Sequence, residues 1–200
     1  MNQKALQKLT YGLFILTARE NKKDNGCIVN TVMQVTTTPN RIVVAVNKNN
    51  YTCGMISSTG IFNVSVLTVD SKFETYRHWG FQSGADKNKC ESITYERSNN
   101  GVIYIANECT AYISAKVVSA TDLGTHILFL ADVCDAECLE DGESVSYVYY
   151  QKNIKPAPTN ENRKKGFICT VCGYIYEGEV LPDDFVCPLC KHPASDFKPL

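Results

Sequence analysis

Cys169-Thr170-Val171-Cys172 and Cys187-Pro188-Leu189-Cys190 are two C-x-x-C pairs separated by fourteen residues. Each pair spans a single turn, so both sulfurs can face one ion while backbone N–H groups of the turn point toward them. Four thiolates delivered in this way suit a tetrahedral metal centre, and the spacing alone admits iron or zinc. Phe167, Tyr174, Tyr176, Phe185 and Phe197 flank the pairs and can wrap such a centre in aromatic rings.

Residues 152–165, KNIKPAPTNENRKK, separate this segment from the rest of the chain. They lack apolar periodicity, hold two prolines and carry five Lys/Arg against one Glu. That composition marks a linker between a domain at 1–151 and a small domain at 166–200. A flexible segment of this length spans roughly 20 Å root-mean-square, so the small domain is tethered yet able to swing. It carries Glu177, Glu179, Asp183, Asp184 and Asp196 against Lys191 and Lys198, a negative face suited to a basic patch on a partner.

Residues 1–151 read as mainly β. Strands are expected at Leu13–Ala18, Cys27–Thr36, Arg41–Val46, Ile61–Val69, Val102–Asn107, Thr110–Ser119, Thr125–Val133 and Ser146–Tyr150. Turns are expected at Lys23-Asp24-Asn25-Gly26 and Thr38-Pro39-Asn40, and helices at Asn2–Leu9, Tyr51–Ser58 and Ser71–Trp79. Many short strands with few helices predict a closed or nearly closed antiparallel barrel. No GxGxxG follows a strand and no Walker loop occurs, so a nucleotide cofactor would not be held in the Rossmann manner.

The net charge of −1 and the lack of a long basic run argue against nucleic acid as a partner. The apolar run Leu13–Leu16 is too short for a signal peptide, and no stretch is long enough for a membrane span. The expectation is a soluble, cytoplasmic protein. Four of its ten cysteines form the paired motif. Cys27, Cys53, Cys90, Cys109, Cys134 and Cys138 are scattered, as reduced thiols are in a reducing compartment. Cys134 and Cys138 stand four apart, and a strand end accounts for them more simply than half a metal site.

The tail GFICTVCGYIYEGEVLPDDFVCPLCKHPASDFKPL resembles the rubredoxins, which implies one iron held by Cys169, Cys172, Cys187 and Cys190 and moved through one-electron steps. Its segment between the pairs is shorter than in free-standing rubredoxins, and Phe185 stands where they usually carry Trp. A similarly shortened module occurs in rubredoxin-like domains fused to other redox proteins.

The upstream pieces come in the order Tyr11-Gly12-Leu13-Phe14, Asn25–Thr31, Gln34-Val35-Thr36, Asn47–Thr52, Ser58–Val64, Trp79–Gly84 and His126–Val133. This order resembles the flavin-reductase branch of the FMN-binding split-barrel proteins. The whole chain resembles the high-molecular-weight rubredoxins. The implied fold class is mainly β: an FMN-binding split barrel with a few short helices, plus a small rubredoxin-like iron-binding domain.

The resemblance implies FMN as cofactor. Asn30, Thr31, the main chain of Val32, and Gln34 would serve the polar edge of its ring. Asn47, Lys48, Asn49 and Thr52, at a strand-to-helix junction, would serve its phosphate. Ser83-Gly84 would close over it, with Ala85 where relatives often carry Arg. His126 would stand beside the flavin face near the nicotinamide, and Trp79 would be either packing or a lid. Implied too are NAD(P)H as electron donor, transfer from flavin to iron, a flavodiiron-type acceptor protein and a homodimer. Two alternatives remain: a flavin-binding relay that does not react with NAD(P)H, and a flavin reductase whose tail is a structural zinc ribbon serving as an interaction module.

Overall fold

The computed structural model describes residues 5, 8–156, 166–171, 173–188 and 192–200. Seven antiparallel strands form the principal sheet. They are β1 (Phe14–Glu20), β2 (Lys23–Val29), β3 (Val32–Thr37), β4 (Asn40–Asn47), β5 (Ile61–Leu67), β8 (Cys109–Asp122) and β9 (His126–Cys138). Their order is β2-β1-β5-β8-β9-β4-β3. The two edge strands are consecutive in the chain and joined only through Asn30–Thr31. The sheet must therefore curl until its ends meet at that corner, where the Ala45 N–H donates to the Thr31 carbonyl. A short hairpin, β6 (Glu96–Arg97) with β7 (Ile103–Tyr104), stands apart.

The barrel interior is filled by alternate residues of these strands and by α1 (Tyr51–Thr59), with Phe62, Val64, Val44, Val46 and Phe129 almost fully buried. Alternation places every second side chain inward. Burial along β4 follows it: Ile42, Val44 and Val46 are buried, whereas Arg41, Val43 and Ala45 are half-buried. A second cluster forms between the barrel and α2 (Phe73–Gly80), around Ile15, Leu67, Tyr76, Trp79 and Ile103.

Trp79 is 3 % exposed and is packing, not a lid. Its ring lies so close to Gly26 that a Cβ there would come within 2.7 Å of it. Trp79→Ala is expected to cost about 3–5 kcal/mol of barrel stability, read from chemical denaturation.

Four local expectations are corrected. Residues 23–26 are strand, not turn, because the β1–β2 hairpin turns at Asn21 and Lys22, both left-handed at φ 49° and 68°. Gly26 sits in β2 to admit the Trp79 ring. Cys27–Thr36 is two strands broken at Asn30–Thr31, since the barrel turns its corner there. Ser146–Tyr150 is not a strand: Ser146 caps α3 (Tyr147–Tyr149) by accepting from the Tyr149 N–H, and a wider helical turn continues over Tyr150–Ile154. Residues 152–154 of the expected linker thus belong to this helical tail. Val102–Asn107 contributes only β7, because Ile105 leaves the ladder to donate its N–H to Ser65 Oγ. The helix expected at Asn2–Leu9 lies mostly outside the described residues.

The described residues of 166–200 include a three-stranded sheet in the order β11-β10-β12, with β10 at Phe167–Cys169, β11 at Ile175–Tyr176 and β12 at Phe197–Pro199. Among the described residues no helix is long and apolar enough to cross a membrane.

Candidate functional site

The antiparallel register of β4 and β9 sets Asn47 directly opposite His126. The β2–β3 corner brings Asn30 to the same place, and all three border a cavity of about 340 Å³. That volume lies within the range of small-molecule and cofactor sites. Leu13, Ile28 and Val29 supply an apolar wall, and Tyr76, Tyr147 and Tyr150 an aromatic one. Tyr150 packs on Tyr76 with ring centroids 4.4 Å apart, and the Tyr76 hydroxyl bonds Ser71 Oγ at 2.5 Å.

Burial, with the nearby His192 adding to it, lowers the pKa of His126 below the usual imidazole value. The ring is therefore held in its neutral form at neutral pH, with Nδ1 2.9 Å from Thr125 Oγ1.

Two further hollows continue from Asn50, which borders all three cavities. Asn50 is the N-cap of α1, and its side chain makes no capping bond there. A helix start of this kind presents backbone N–H groups to an anion. The second hollow is small and lined by Asn49, Thr52, Ser83 and Gly84 together with Asn25 and Lys89. The third is an open groove over Lys48, Asn49, Tyr51 and Ser83.

Inside the second hollow Asn25 Nδ2 donates to Thr52 Oγ1 at 2.9 Å, while Asn25 Oδ1 is buried without a hydrogen-bond partner. A buried acceptor in that state costs about 1–3 kcal/mol unless a ligand donor meets it. The residues therefore fit a flavin: an apolar cavity with amides at one end and a helix start beside it.

The loop carrying Ser83 and Gly84 is pinned from two sides. Lys23 Nζ donates to the Gly84 carbonyl at 2.9 Å. Lys89, only 3 % exposed, donates to the carbonyls of Gly26 and Trp79, each at 2.8 Å. Burial lowers the Lys89 pKa.

Some expected contacts are not assembled. Thr31 is turned to its neighbour, donating to Asn30 Oδ1 at 2.9 Å. The Val32 side chain packs against the barrel core, which leaves its main chain as the part that could serve a ligand. Gln34 is exposed, with Nε2 on Asn40 Oδ1 at 2.7 Å, and borders none of the three cavities. Lys48 borders the open groove but pairs with Asp122 at 2.6 Å. Sequence reasoning missed Asn50, Asn25, Lys89 and the three tyrosines. The close run of Tyr147, Tyr149 and Tyr150 was a signal for part of this; the others are brought in only by the fold.

In the small domain Cys169 and Cys187 are 1 % and 0 % exposed. They sit in a cluster with Phe167, Tyr174, Tyr176, Phe185 and Phe197, the five aromatics expected to wrap the centre. Phe185 contacts Tyr176 at 4.7 Å and Phe197 at 5.3 Å between ring centroids. The first turn is closed by the Gly173 N–H donating to the Cys169 carbonyl, with Gly173 at φ 80°, where a side chain would be strained. Across the second pair the Cys187 N–H donates to the His192 carbonyl at 2.8 Å. Cys172 and Cys190 lie outside the described residues. The two buried thiols in an aromatic shell suit a thiolate-bound metal.

The remaining thiols are chemically distinct from these. Burial pushes Cys27 and Cys90 up to about 11 and Cys109 up to about 12, which keeps them protonated and unreactive. Cys134 and Cys138 are exposed on β9. Brief iodoacetamide treatment of the native protein at neutral pH is expected to label Cys134 and Cys138 before Cys27, Cys90, Cys109 and the buried Cys53, as read by peptide mass spectrometry.

Comparison with known proteins finds two family matches along the chain. Residues 6–158 match the flavin reductase like domain, and residues 167–198 match the rubrerythrin, rubredoxin-like domain. The chain is 35 % identical to the high molecular weight rubredoxin of Moorella thermoacetica, over 99 % of both chains. It is 37 % identical to the ferric-chelate reductase (NAD(P)H) of Archaeoglobus fulgidus, over 75 % of this chain and 89 % of that one. Among solved structures, an NADH:FAD oxidoreductase of Streptomyces globisporus C-1027 superposes with a TM-score of 0.65 at 18 % identity, covering 72 % of this chain and 85 % of the other. At that identity the likeness speaks for the fold alone. The chain belongs to the high molecular weight rubredoxins, oxidoreductase flavoproteins of electron transport in which a flavin reductase-like barrel is joined to a rubredoxin-like domain.

Proposed function

We propose that the chain carries electrons from NAD(P)H, through FMN held in the barrel cavity, to one iron held by Cys169, Cys172, Cys187 and Cys190. The observation that carries this reading is the shared cavity. Val171 and His192 of the small domain line it together with Asn30, Asn47 and His126 of the barrel. A flavin in that cavity would therefore lie against the domain that carries the cysteine pairs. When bound, a flavin takes a hydride from reduced nicotinamide and gives up electrons singly, which joins a two-electron donor to a one-electron metal.

The protein's part is binding and placement. Asn30 and Asn47 offer amides to the ring, and the start of α1 with Asn49, Thr52, Ser83 and Gly84 offers donors to the phosphate. Lys48 serves that phosphate from the groove by exchanging Asp122 for it. The neutral His126 packs beside the flavin face without adding charge where the nicotinamide arrives. No side chain is needed as nucleophile or general base.

The acceptor downstream is a flavodiiron-type protein, a reading supported by the resemblance to high-molecular-weight rubredoxins and by the acidic face of the small domain. The working unit is a homodimer in the cytoplasm. Met33, Val35, Val118 and Leu123 are 42–60 % exposed on β3 and at the outer end of the β8–β9 hairpin, an apolar surface that a second copy would cover.

The test is an anaerobic titration of the purified protein with NADH and then NADPH, followed by absorbance. Flavin bands and ferric-thiolate bands that both bleach support the reading. Flavin bands that do not bleach leave a relay fed by another donor. Absence of ferric-thiolate bands, with zinc found by metal analysis, replaces the iron centre with a binding module.

A further inference from the structure

The cavity between Asn47 and His126 is walled on one side by the small domain. Val171 lies between the two cysteines of the first C-x-x-C turn, and His192 follows the second pair. Two residues outside the small domain meet it there. Phe81, just after α2, packs into the aromatic cluster around Cys169 and Cys187 while its ring stands 5.8 Å from that of Phe73. Lys155, directly after the helical tail, donates from Nζ to the Val171 carbonyl at 2.8 Å and to the Thr170 carbonyl at 3.4 Å. Thr170 and Val171 are the two residues enclosed by Cys169 and Cys172.

We infer that Lys155 is a latch that seats the first cysteine turn on the mouth of the flavin cavity of its own chain. The inference rests on the flavin and iron sites proposed above. An ammonium donating to carbonyls is a charge-assisted bond, stronger than a neutral pair and more so where water is partly excluded. Lys155 caps the helical tail, its N–H donating to the Tyr150 carbonyl, so its side-chain contact with the cysteine turn exists only while the two domains are docked.

Two consequences follow from the geometry. The ammonium stands beside a centre whose reduced form carries one more negative charge than its oxidised form, so Lys155 favours the reduced iron. The seated domain also covers the side of the cavity bordered by His126, so it competes with an incoming nicotinamide for that side. The latch favours transfer to iron at the expense of access by the donor.

Lys155→Met and Lys155→Arg, in the full chain loaded with FMN and iron, test this. In Lys155→Met, electron transfer from reduced flavin to iron is expected to slow about a hundredfold, the scale of loss when reacting groups lose fixed placement. Flavin bleaching by NAD(P)H is expected to be as fast or faster. The iron midpoint potential is expected to fall, and the maximum dimension from small-angle scattering to grow. Lys155→Arg is expected to restore all of these. Unchanged transfer, potential and dimension would overturn the latch, as would equal slowing of both electron-transfer steps. If the flavin of the unmodified protein does not bleach with NAD(P)H, the donor assignment fails, while potential and scattering still decide the role of Lys155.

Discussion

Cys187→Ser is expected to abolish iron binding and to unfold the small domain while leaving the barrel and its flavin intact. Cys187 is fully buried, its N–H holds the His192 carbonyl, and its side chain lies in the aromatic cluster. A serine there offers a hydroxyl in place of a thiolate, a far poorer ligand for iron, and leaves that hydroxyl buried among rings. The domain at 166–200 has little else to stand on. Among its described residues only Cys169, Cys187 and Phe197 are buried. A domain below about 40 residues generally needs a metal, disulfides or a partner to fold. Metal binding and folding are then one equilibrium, with structural metal sites contributing on the order of 10 kcal/mol. Iron content is expected to fall from about one per chain to near zero, as the four-thiolate count requires. The barrel's thermal transition and flavin bleaching by NAD(P)H are expected to persist. Loss of both activities together would show that the two domains do not stand independently.

Gly84→Val is expected to weaken flavin binding by about 10- to 100-fold, since a lost hydrogen bond to a charged group is worth about 1.5–3 kcal/mol. A Cβ at position 84 would lie 2.0 Å from Asn25 Oδ1 and 2.3 Å from its Cγ. Asn25 cannot swing aside without cost, because it is 2 % exposed and its Nδ2 is bonded to Thr52. The loop must lift instead, drawing Ser83 away from the start of α1 and straining the Lys23 contact to the Gly84 carbonyl. Fluorescence titration of the flavin-stripped protein with FMN measures the effect, and iron content serves as the control. An unchanged affinity would remove Ser83 and Gly84 from the flavin site.

The aromatic surroundings of the paired cysteines, most strands of the barrel and the strand-to-helix junction at Asn47–Thr52 were legible in the chain. Their determinants are local. A C-x-x-C turn declares itself by spacing, and β-branched runs such as Ile42–Val46 declare a strand whatever lies beside them. The residues around Asn30 were legible as polar but not as a corner. The same β-rich run from Cys27 to Thr36 is compatible with one long strand or two, and barrel closure between β2 and β3 decides. Tyr147–Tyr150 has the composition of a strand, yet the cap from Ser146 and packing on Tyr76 make it helical. Gln34 shows the opposite case: its type suits a flavin edge, but its place on an edge strand turns it to Asn40.

By itself the sequence determined the fold class and the paired-cysteine motif, because thiolate spacing, strand composition and motif order depend on neighbours a few residues apart. Only the tertiary structure decided which groups meet. Asn47 faces His126 because β4 and β9 pair in one register, and a shift of one residue would send their side chains to opposite faces. Val171 and His192 join that cavity because Phe81 and Lys155 hold the small domain against the barrel. Such contacts join residues far apart in the chain, so no local pattern records them; they follow from register and packing.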